Sequence, residues 1–240
     1  MKIKILFNTR KEWAKKLVPQ VAGFLKSAGF EVVKKGADTT ICIGGDGTIL
    51  YYNNIGKTEG AVLGIGSSSS HICILRNDNW RYQLIDSLKN NKSESRLCIS
   101  ASVSGKNKKI KKNSATISAI NDIVVHTIDY RVITIRAIVN GVPHEFSGDG
   151  IIVSTPTGSS AYAYSAGGDI LKPQSCLIEL VPICPYKRTI SHVVLDENAE
   201  IEISSNRDAD LIIDGIHIKR LKDKEAVKVK KGKDVRFLVL

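Results

Sequence analysis

Thr39-Thr40-Ile41-Cys42-Ile43-Gly44-Gly45-Asp46-Gly47-Thr48-Ile49-Leu50 joins a β-favouring run to a helix-compatible one through three glycines wrapped around one carboxylate. Strand, tight turn and helix in that order aim backbone N–H groups at a phosphate. The helix N-terminus carries partial positive charge and orphan donors, and glycine lets the backbone approach closely. Gly44, Gly45, Gly47 and the Thr48 hydroxyl are therefore the candidate phosphate-binding groups. A carboxylate inside such a turn is unfavourable beside phosphates unless it binds a metal or accepts a proton, which makes Asp46 the candidate catalytic group. The plainer alternative is a glycine-rich turn in which Asp46 caps the following helix.

Outward from this loop, Lys2 to Phe7 reads as a first strand, with Asn8-Thr9-Arg10 as its turn. Trp13, Leu17, Val21, Phe24 or Leu25, and Ala28 recur at helical spacing up to Gly29, a natural stop. Pro19 lies inside that pattern and predicts a kink or a later start. Phe30 to Val33 is a second strand, Ala61 to Ile65 a buried strand beyond the loop, and Asp78 to Leu88 a further helix. Strands alternating with helices predict a parallel sheet, with ligands at the carboxyl ends of its strands. Two motif matches fail. Gly56-Lys57-Thr58 looks like the end of a P-loop, but Tyr51 stands where its first glycine belongs. Gly64-Ile65-Gly66-Ser67 lacks the third glycine of a dinucleotide fingerprint. The Ser67 to Ser70 run can present hydroxyls to a phosphate or form a surface loop.

From about Arg96 the periodicity changes from helical to two-residue. In Arg131 to Asn140 the set Ile133, Ile135, Ala137, Val139 is uniformly apolar, as a strand with one buried face requires. Asn140-Gly141 is a strong hairpin turn. Further strand-like runs are Leu97 to Val103, Ala115 to Val125, Gly150 to Val153, Leu177 to Val181, Ile201 to Ile203, Leu211 to Ile213 and Val235 to Leu240. The fold class is an α/β N-terminal domain with a parallel sheet, residues 1–95, followed by a mainly β C-terminal domain, residues 96–225.

Composition narrows the function classes. A chain of 240 residues with 42% hydrophobic and 25% charged residues can bury a substantial core. No window reaches the roughly 18 apolar residues of a membrane span, and Met1-Lys2-Ile3-Lys4 leads straight into a strand rather than a signal peptide. Cys42, Cys73, Cys98, Cys176 and Cys184 are odd in number, scattered and without a C-x-x-C pair, which fits reduced thiols in a cytoplasmic protein. The net charge of +11 attracts anions of every kind. Its two lysine-rich runs, Lys106 to Lys112 and Lys219 to Lys233, carry no interleaved aromatics, so they read as a solvated hairpin and tail rather than a nucleic-acid surface.

A second stretch sharpens the function. Asp149-Gly150-Ile151-Ile152-Val153-Ser154-Thr155-Pro156-Thr157-Gly158-Ser159-Ser160-Ala161-Tyr162, followed by Ser165-Ala166-Gly167-Gly168, has small hydroxyl residues packed around Gly158 and suits a second backbone cradle. Between the two cradles stands Asn121-Asp122. An amide followed by a carboxylate at a strand end can read an adenine edge and a ribose diol, or simply form an Asx turn. In this order the three segments resemble the NAD kinase family, marked by a GGDGT loop, an Asn-Glu pair and a DG…STPTGSTAY segment. The likeness covers roughly residues 39 to 216. GGDGT alone is shared with diacylglycerol and sphingosine kinases and, loosely, with phosphofructokinases.

The resemblance implies transfer of the terminal phosphate of ATP, or of polyphosphate, to the 2′-hydroxyl of NAD's adenosine ribose. Asp46 would act as general base or as a ligand of Mg2+ or another divalent metal. Asp46, Gly47, Asn121, Asp122, Asp149, Thr157, Ser160, Ala161 and Tyr162 would line the NAD pocket, with Asp149 facing nicotinamide or its ribose. It further implies a homodimer or homotetramer, and a chain end, about 226–240, that returns to the first domain. Several positions depart from the family pattern: Asp122 for Glu, Tyr186 for His after Pro182-Ile183-Cys184-Pro185, Ser191-His192 for Arg-Pro, and Ile216 for Gln after Asp214-Gly215. The alternatives are a lipid kinase, which needs an apolar acyl pocket that the hydroxyl-rich Thr155 to Ser160 segment argues against, and a nucleotide sensor or basic nucleic-acid binder.

Overall fold

The computed structural model describes residues 1–104, 117–223 and 225–240. The Lys106 to Lys112 run and the first two residues of the Ala115 to Val125 run lie outside them. The chain forms two compact units, Met1–Ser95 with Val235–Leu240, and Arg96–Asp234.

The first unit alternates strand and helix: β1 (Lys2–Phe7), α1 (Glu12–Ser27), β2 (Glu31–Val32), β3 (Thr39–Ile43), α2 (Asp46–Asn54), β4 (Ala61–Gly66), β5 (Leu75–Arg76), α3 (Trp80–Asn90) and β6 (Ser93–Arg96). The sheet order is β2-β1-β3-β4, then the chain's last strand Val235–Leu238, then β6, with β5 also paired to β4. The pairs β1–β2, β1–β3, β3–β4 and β4–β5 are all parallel. Every residue of β3 and β4 is buried, as a parallel strand covered on both faces requires. Helix α1 buries Ala14, Leu17, Val21 and Leu25 on one stripe and runs through Pro19, which sits on its exposed face. Gly29 at φ +84° ends it, with the Phe30 N–H bonded to Leu25 O and the Gly29 N–H to Lys26 O.

The second unit is two six-stranded sheets facing one core. Its strands are β7 (Ile99–Ser104), β8 (Ile117–Ala119), β9 (Asp122–Thr127), β10 (Ile133–Val139), β11 (Val142–Gly148), β12 (Gly150–Ser154), β13 (Leu177–Ile183), β14 (Val193–Asp196), β15 (Ile201–Ser205), β16 (Ala209–Ile213), β17 (Ile216–Leu221) and β18 (Ala226–Lys231). One sheet runs β11-β10-β15-β18-β7-β8 and the other β14-β13-β12-β9-β16-β17. Ile133, Ile135, Ala137 and Val139 all enter the shared core, as their alternation predicts. Asn140 and Gly141 both take positive φ, 49° and 85°, as a tight hairpin between β10 and β11 demands. Two expectations are corrected. The Ala115 to Val125 run is broken at Ile120-Asn121 into β8 and β9. The lysine-rich stretch after Lys219 is not a solvated tail: β18 pairs with both β15 and β7 and buries Val227 and Val229 while its lysines point outward. Residues 226–234 thus lie in the second unit, and only Val235–Leu240 joins the first.

Candidate active site

In the first unit, the segments after β1, β3 and β4 meet at the carboxyl edge of the sheet. Asn8, Lys11, Gly44 to Thr48, Ser67, Ser69 and Ser70 line a cleft of about 390 Å³. This is where an open α/β sheet places its ligands. The Asn8 N–H bonds to Ile43 O (2.8 Å) and the Gly44 N–H to Ile65 O (3.0 Å), so the loop leaves the sheet in a fixed direction. Gly44 has φ +148° and Gly45 φ +103°, and a Cβ at Gly44 would overlap Thr48 Oγ1 and the Asn8 side chain. Only glycine serves at Gly44.

Asp46 is the first residue of α2 and does not cap it; Gly45 holds the cap position. The Asp46 carboxylate turns instead onto the next loop. Oδ2 accepts the His71 N–H (2.6 Å), and Oδ1 accepts those of Ile72 and Cys73 (3.0 Å each). Lys11 Nζ donates to Gly44 O at 2.7 Å. Thr48 Oγ1 is buried without a hydrogen-bond partner. Burial, then the Asp46 charge, pushes the Cys73 thiol far above its ordinary value, which leaves it an inert core group.

In the second unit, β9 pairs with β12 so that Asp122 stands opposite Ser154. The Asn121-Asp122 turn therefore meets the segment that follows β12. The Thr155 N–H bonds to Asn121 O (2.9 Å), and the Thr155 hydroxyl donates to Ile120 O (2.5 Å). Any side chain at Gly158 would collide with the Asn121 backbone. The short helical turn Ser159–Ala163 is interrupted at Ala161 (φ −103°, ψ −117°) and is pinned through Ala163, which packs on Val124, Ile152 and Val181. The Ser159 hydroxyl donates to Pro156 O (2.8 Å) and accepts the Leu171 N–H (2.9 Å). Asn121 Oδ1 and Thr157 Oγ1 are shielded from solvent without partners.

A buried carboxylate pair lies behind this turn. Asp214, at φ +50° in the β16–β17 hairpin, accepts the N–H groups of Ile120 (3.0 Å), Asn121 (2.7 Å) and Asp122 (3.2 Å). Burial, reinforced by the Asp214 charge, raises Asp122 to about 7. Burial raises Asp214 to about 6, against the three N–H donors that favour its charge. Tyr162 is 41% exposed, and its phenol is raised by burial and then by the charges of Cys184, Asp122 and Asp149. Asp149 sits at the other end of β12 from Thr157, with its N–H on Ile183 O (3.0 Å). Ser160 and Ala161 are exposed beside Tyr162.

The residues expected to bind phosphate thus share one cleft, and Asn121, Asp122 and Thr157 share a second locus. Sequence reasoning missed Lys11 and Asn8 in the first and the anchoring carboxylate of Asp214 in the second. A match of Asp214-Gly215 to a family segment was the one available pointer. Among the described residues no group of three or more His, Cys, Asp or Glu side chains converges as a metal cage. No helix among them is long and apolar enough to cross a membrane.

Comparison with known proteins agrees with this layout. The profile of the ATP-NAD kinase C-terminal domain matches residues 120–239. An NAD kinase of Lachnoclostridium phytofermentans is 30% identical over 214 residues, covering 84% of this chain and 74% of its own. Among solved structures, an Archaeoglobus fulgidus NAD kinase in complex with ATP superposes with a TM-score of 0.81 at 22% identity, over 100% of this chain and 94% of that one. A yeast NADH kinase complexed with NADH gives 0.82 at 19% identity, over 100% and 83%. With a family profile spanning half its length and a relative of that identity aligned across most of both chains, the chain belongs to the NAD kinase family.

Proposed function

We propose that this chain is an NAD kinase that transfers the terminal phosphate of ATP to the 2′-hydroxyl of NAD's adenosine ribose, giving NADP and ADP. ATP phosphates occupy the cleft lined by Gly44, Gly45, Gly47 and Thr48. Asn121 reads the adenine edge, Asp122 accepts from a ribose hydroxyl, and Asp149, Thr157, Ser160, Ala161 and Tyr162 complete the NAD site. In the transfer, the 2′-oxygen forms a bond to the terminal phosphorus as the bond to the bridging oxygen breaks. Asp46 takes the hydroxyl proton, and ADP leaves with the bonding pair. On this reading Mg2+ would enter with ATP; Asp46 is the cleft carboxylate that would hold it, and the ion would supply neutralisation of charge on the transferring phosphate. Inorganic polyphosphate offers the same phosphate chemistry and is a second donor on this reading. The five cysteines form no disulfide, which supports a reducing, cytoplasmic setting. The assembly we propose is a homodimer or homotetramer.

One observation carries the reading. Thr48 Oγ1, Asn121 Oδ1 and Thr157 Oγ1 are all shielded and unpartnered, and each lies in a stretch that the motif resemblance leads us to expect at the nucleotide. An unsatisfied buried polar group costs about 1–3 kcal/mol, which a ligand hydrogen bond removes. Incubation of the purified protein with NAD, ATP and Mg2+ should form NADP. Asp46→Asn should lower kcat by about 10²–10⁴-fold, the range of a positioned general base. Absence of NADP, together with an Asp46→Asn protein indistinguishable from the parent, would reject the assignment.

A further inference from the structure

Lys11 immediately precedes α1 and is half-buried in the wall of the first unit's cleft. Its Nζ makes one hydrogen bond, to Gly44 O, and lies 3.6 Å from where a Cβ on Gly45 would stand. An ammonium has three N–H donors, so two are left. The Asp46 carboxylate lines the same cleft but makes its hydrogen bonds to the amides of His71, Ile72 and Cys73, not to Lys11. Beside that bond Nζ has only the Trp13 ring, 5.7 Å to its centroid, and a half-buried ammonium with no direct ion pair among the described residues favours an anion.

The rest of the cleft offers what an anion needs. Thr48 is 4% exposed, lines the cleft, and keeps Oγ1 unpartnered. Helix α2, Asp46–Asn54, turns its positive dipole end and the N–H groups of Asp46 and Gly47 to the same edge, the Thr48 N–H being held by Gly45 O (2.9 Å). The adjoining Ser70 hydroxyl stands 3.2 Å from the position of a Gly45 Cβ, on the side of Gly45 that also faces Lys11. Ammonium, hydroxyls and main-chain donors together match a polyphosphate tail carrying several charges, and poorly match a neutral or apolar ligand.

We propose that Lys11 is the phosphate-binding cation of this site, gripping the terminal phosphates of ATP jointly with the Thr48 hydroxyl and offsetting the charge of the transferred group. This rests on the reading of the cleft as the ATP site. In that role Lys11 touches the substrate, and its bond to Gly44 O aims the side chain across the glycine loop.

Inorganic tripolyphosphate, titrated calorimetrically into the full chain, isolates this contact from any turnover. Lys11→Met should weaken tripolyphosphate binding about 10–100-fold, the range of a charge-assisted hydrogen bond, and Lys11→Arg should keep most of it. In the kinase assay Lys11→Met should raise KM for ATP in the same proportion and leave KM for NAD within about twofold, since a local phosphate contact does not touch the acceptor. Thr48→Val, which keeps the side-chain shape, should weaken tripolyphosphate about fivefold by losing a single neutral hydrogen bond. Unchanged tripolyphosphate affinity in a folded Lys11→Met protein overturns the inference, as does an equal rise in KM for both substrates. Loss of tripolyphosphate binding in a protein that forms no NADP upholds the phosphate site while rejecting the activity, so the two failures are distinguishable.

Discussion

At the level of single residues, the proposed reading gives the carboxylates of Asp46 and Asp122 different work. Asp46 already accepts three amide N–H groups, two on Oδ1 and one on Oδ2. The Cys73 thiol also hydrogen-bonds to this carboxylate, so Asp46 anchors the 71–73 loop as well as facing the cleft. Asp46→Ala should therefore do more than remove a base. Amide exchange at His71, Ile72 and Cys73 should accelerate as the loop loses its anchor, measurable by hydrogen-exchange mass spectrometry.

Asp122 is raised to about 7 by burial and by Asp214. A ribose hydroxyl donates to the ionised form, so NAD affinity should tighten as pH rises from about 6 to 8, and Asp122→Asn should flatten that profile in calorimetric titrations. Stability follows the opposite sign. A carboxyl whose folded pKa lies above its unfolded value contributes stability that is complete below about pH 4 and lost as pH rises through about 7. Asp122→Asn cannot ionise, so its melting temperature should gain on the parent's between pH 5 and 8. Asp46 and Asp122 stood out in the sequence as candidates because each sits in a motif. Lys11 did not, because one lysine among 35 basic residues carries no spacing pattern, and its place in the cleft follows only from where β1 ends.

Among the elements, β12 connects fold to site. Ile151 and Val153 enter the core between the sheets, while Ile152 on the opposite face packs with Ala163 of the turn that follows. A strand buried on both faces holds that turn rigidly, and Gly158 closes it against Asn121. Gly158→Ala forces a methyl into backbone. It should destabilise the second unit by about 1–3 kcal/mol, as overpacking does, and raise KM for NAD at least tenfold as Asn121 is displaced. Denaturant melts and steady-state kinetics check both.

Elements with clean alternation were readable directly, as β10 shows. Strand β11, Val142–Gly148, was not: at a sheet edge it buries only Phe146 and Gly148, so its sequence has no apolar face to detect. The reading of Lys219 to Lys233 failed for a related reason. In β18 the exposed Lys228, Lys230 and Lys231 outnumber the buried Val227 and Val229, and composition masked the period.

For the whole molecule, the first unit's sheet is not contiguous in the chain. Val235–Leu238 lies between β4 and β6, with Phe237 opposite Val62 and both Phe237 and Leu238 buried. Phe237→Ala should destabilise that unit by about 3–5 kcal/mol and weaken ATP before NAD, a split that separate calorimetric titrations of the two nucleotides would detect. The returning strand was expected from the family resemblance, because six residues at a chain end hold no mark of which sheet they join. The net charge of +11 accords with anionic nucleotides as ligands.

The decisive determination is a crystal structure of the protein with NAD bound. The 2′-oxygen of the adenosine ribose should lie about 2.6–3.2 Å from an Asp46 carboxylate oxygen, the reach of a general base. The adenine edge should rest on Asn121 and a ribose hydroxyl on Asp122. An NAD whose 2′-hydroxyl points to solvent, away from Asp46, would contradict the proposed chemistry outright.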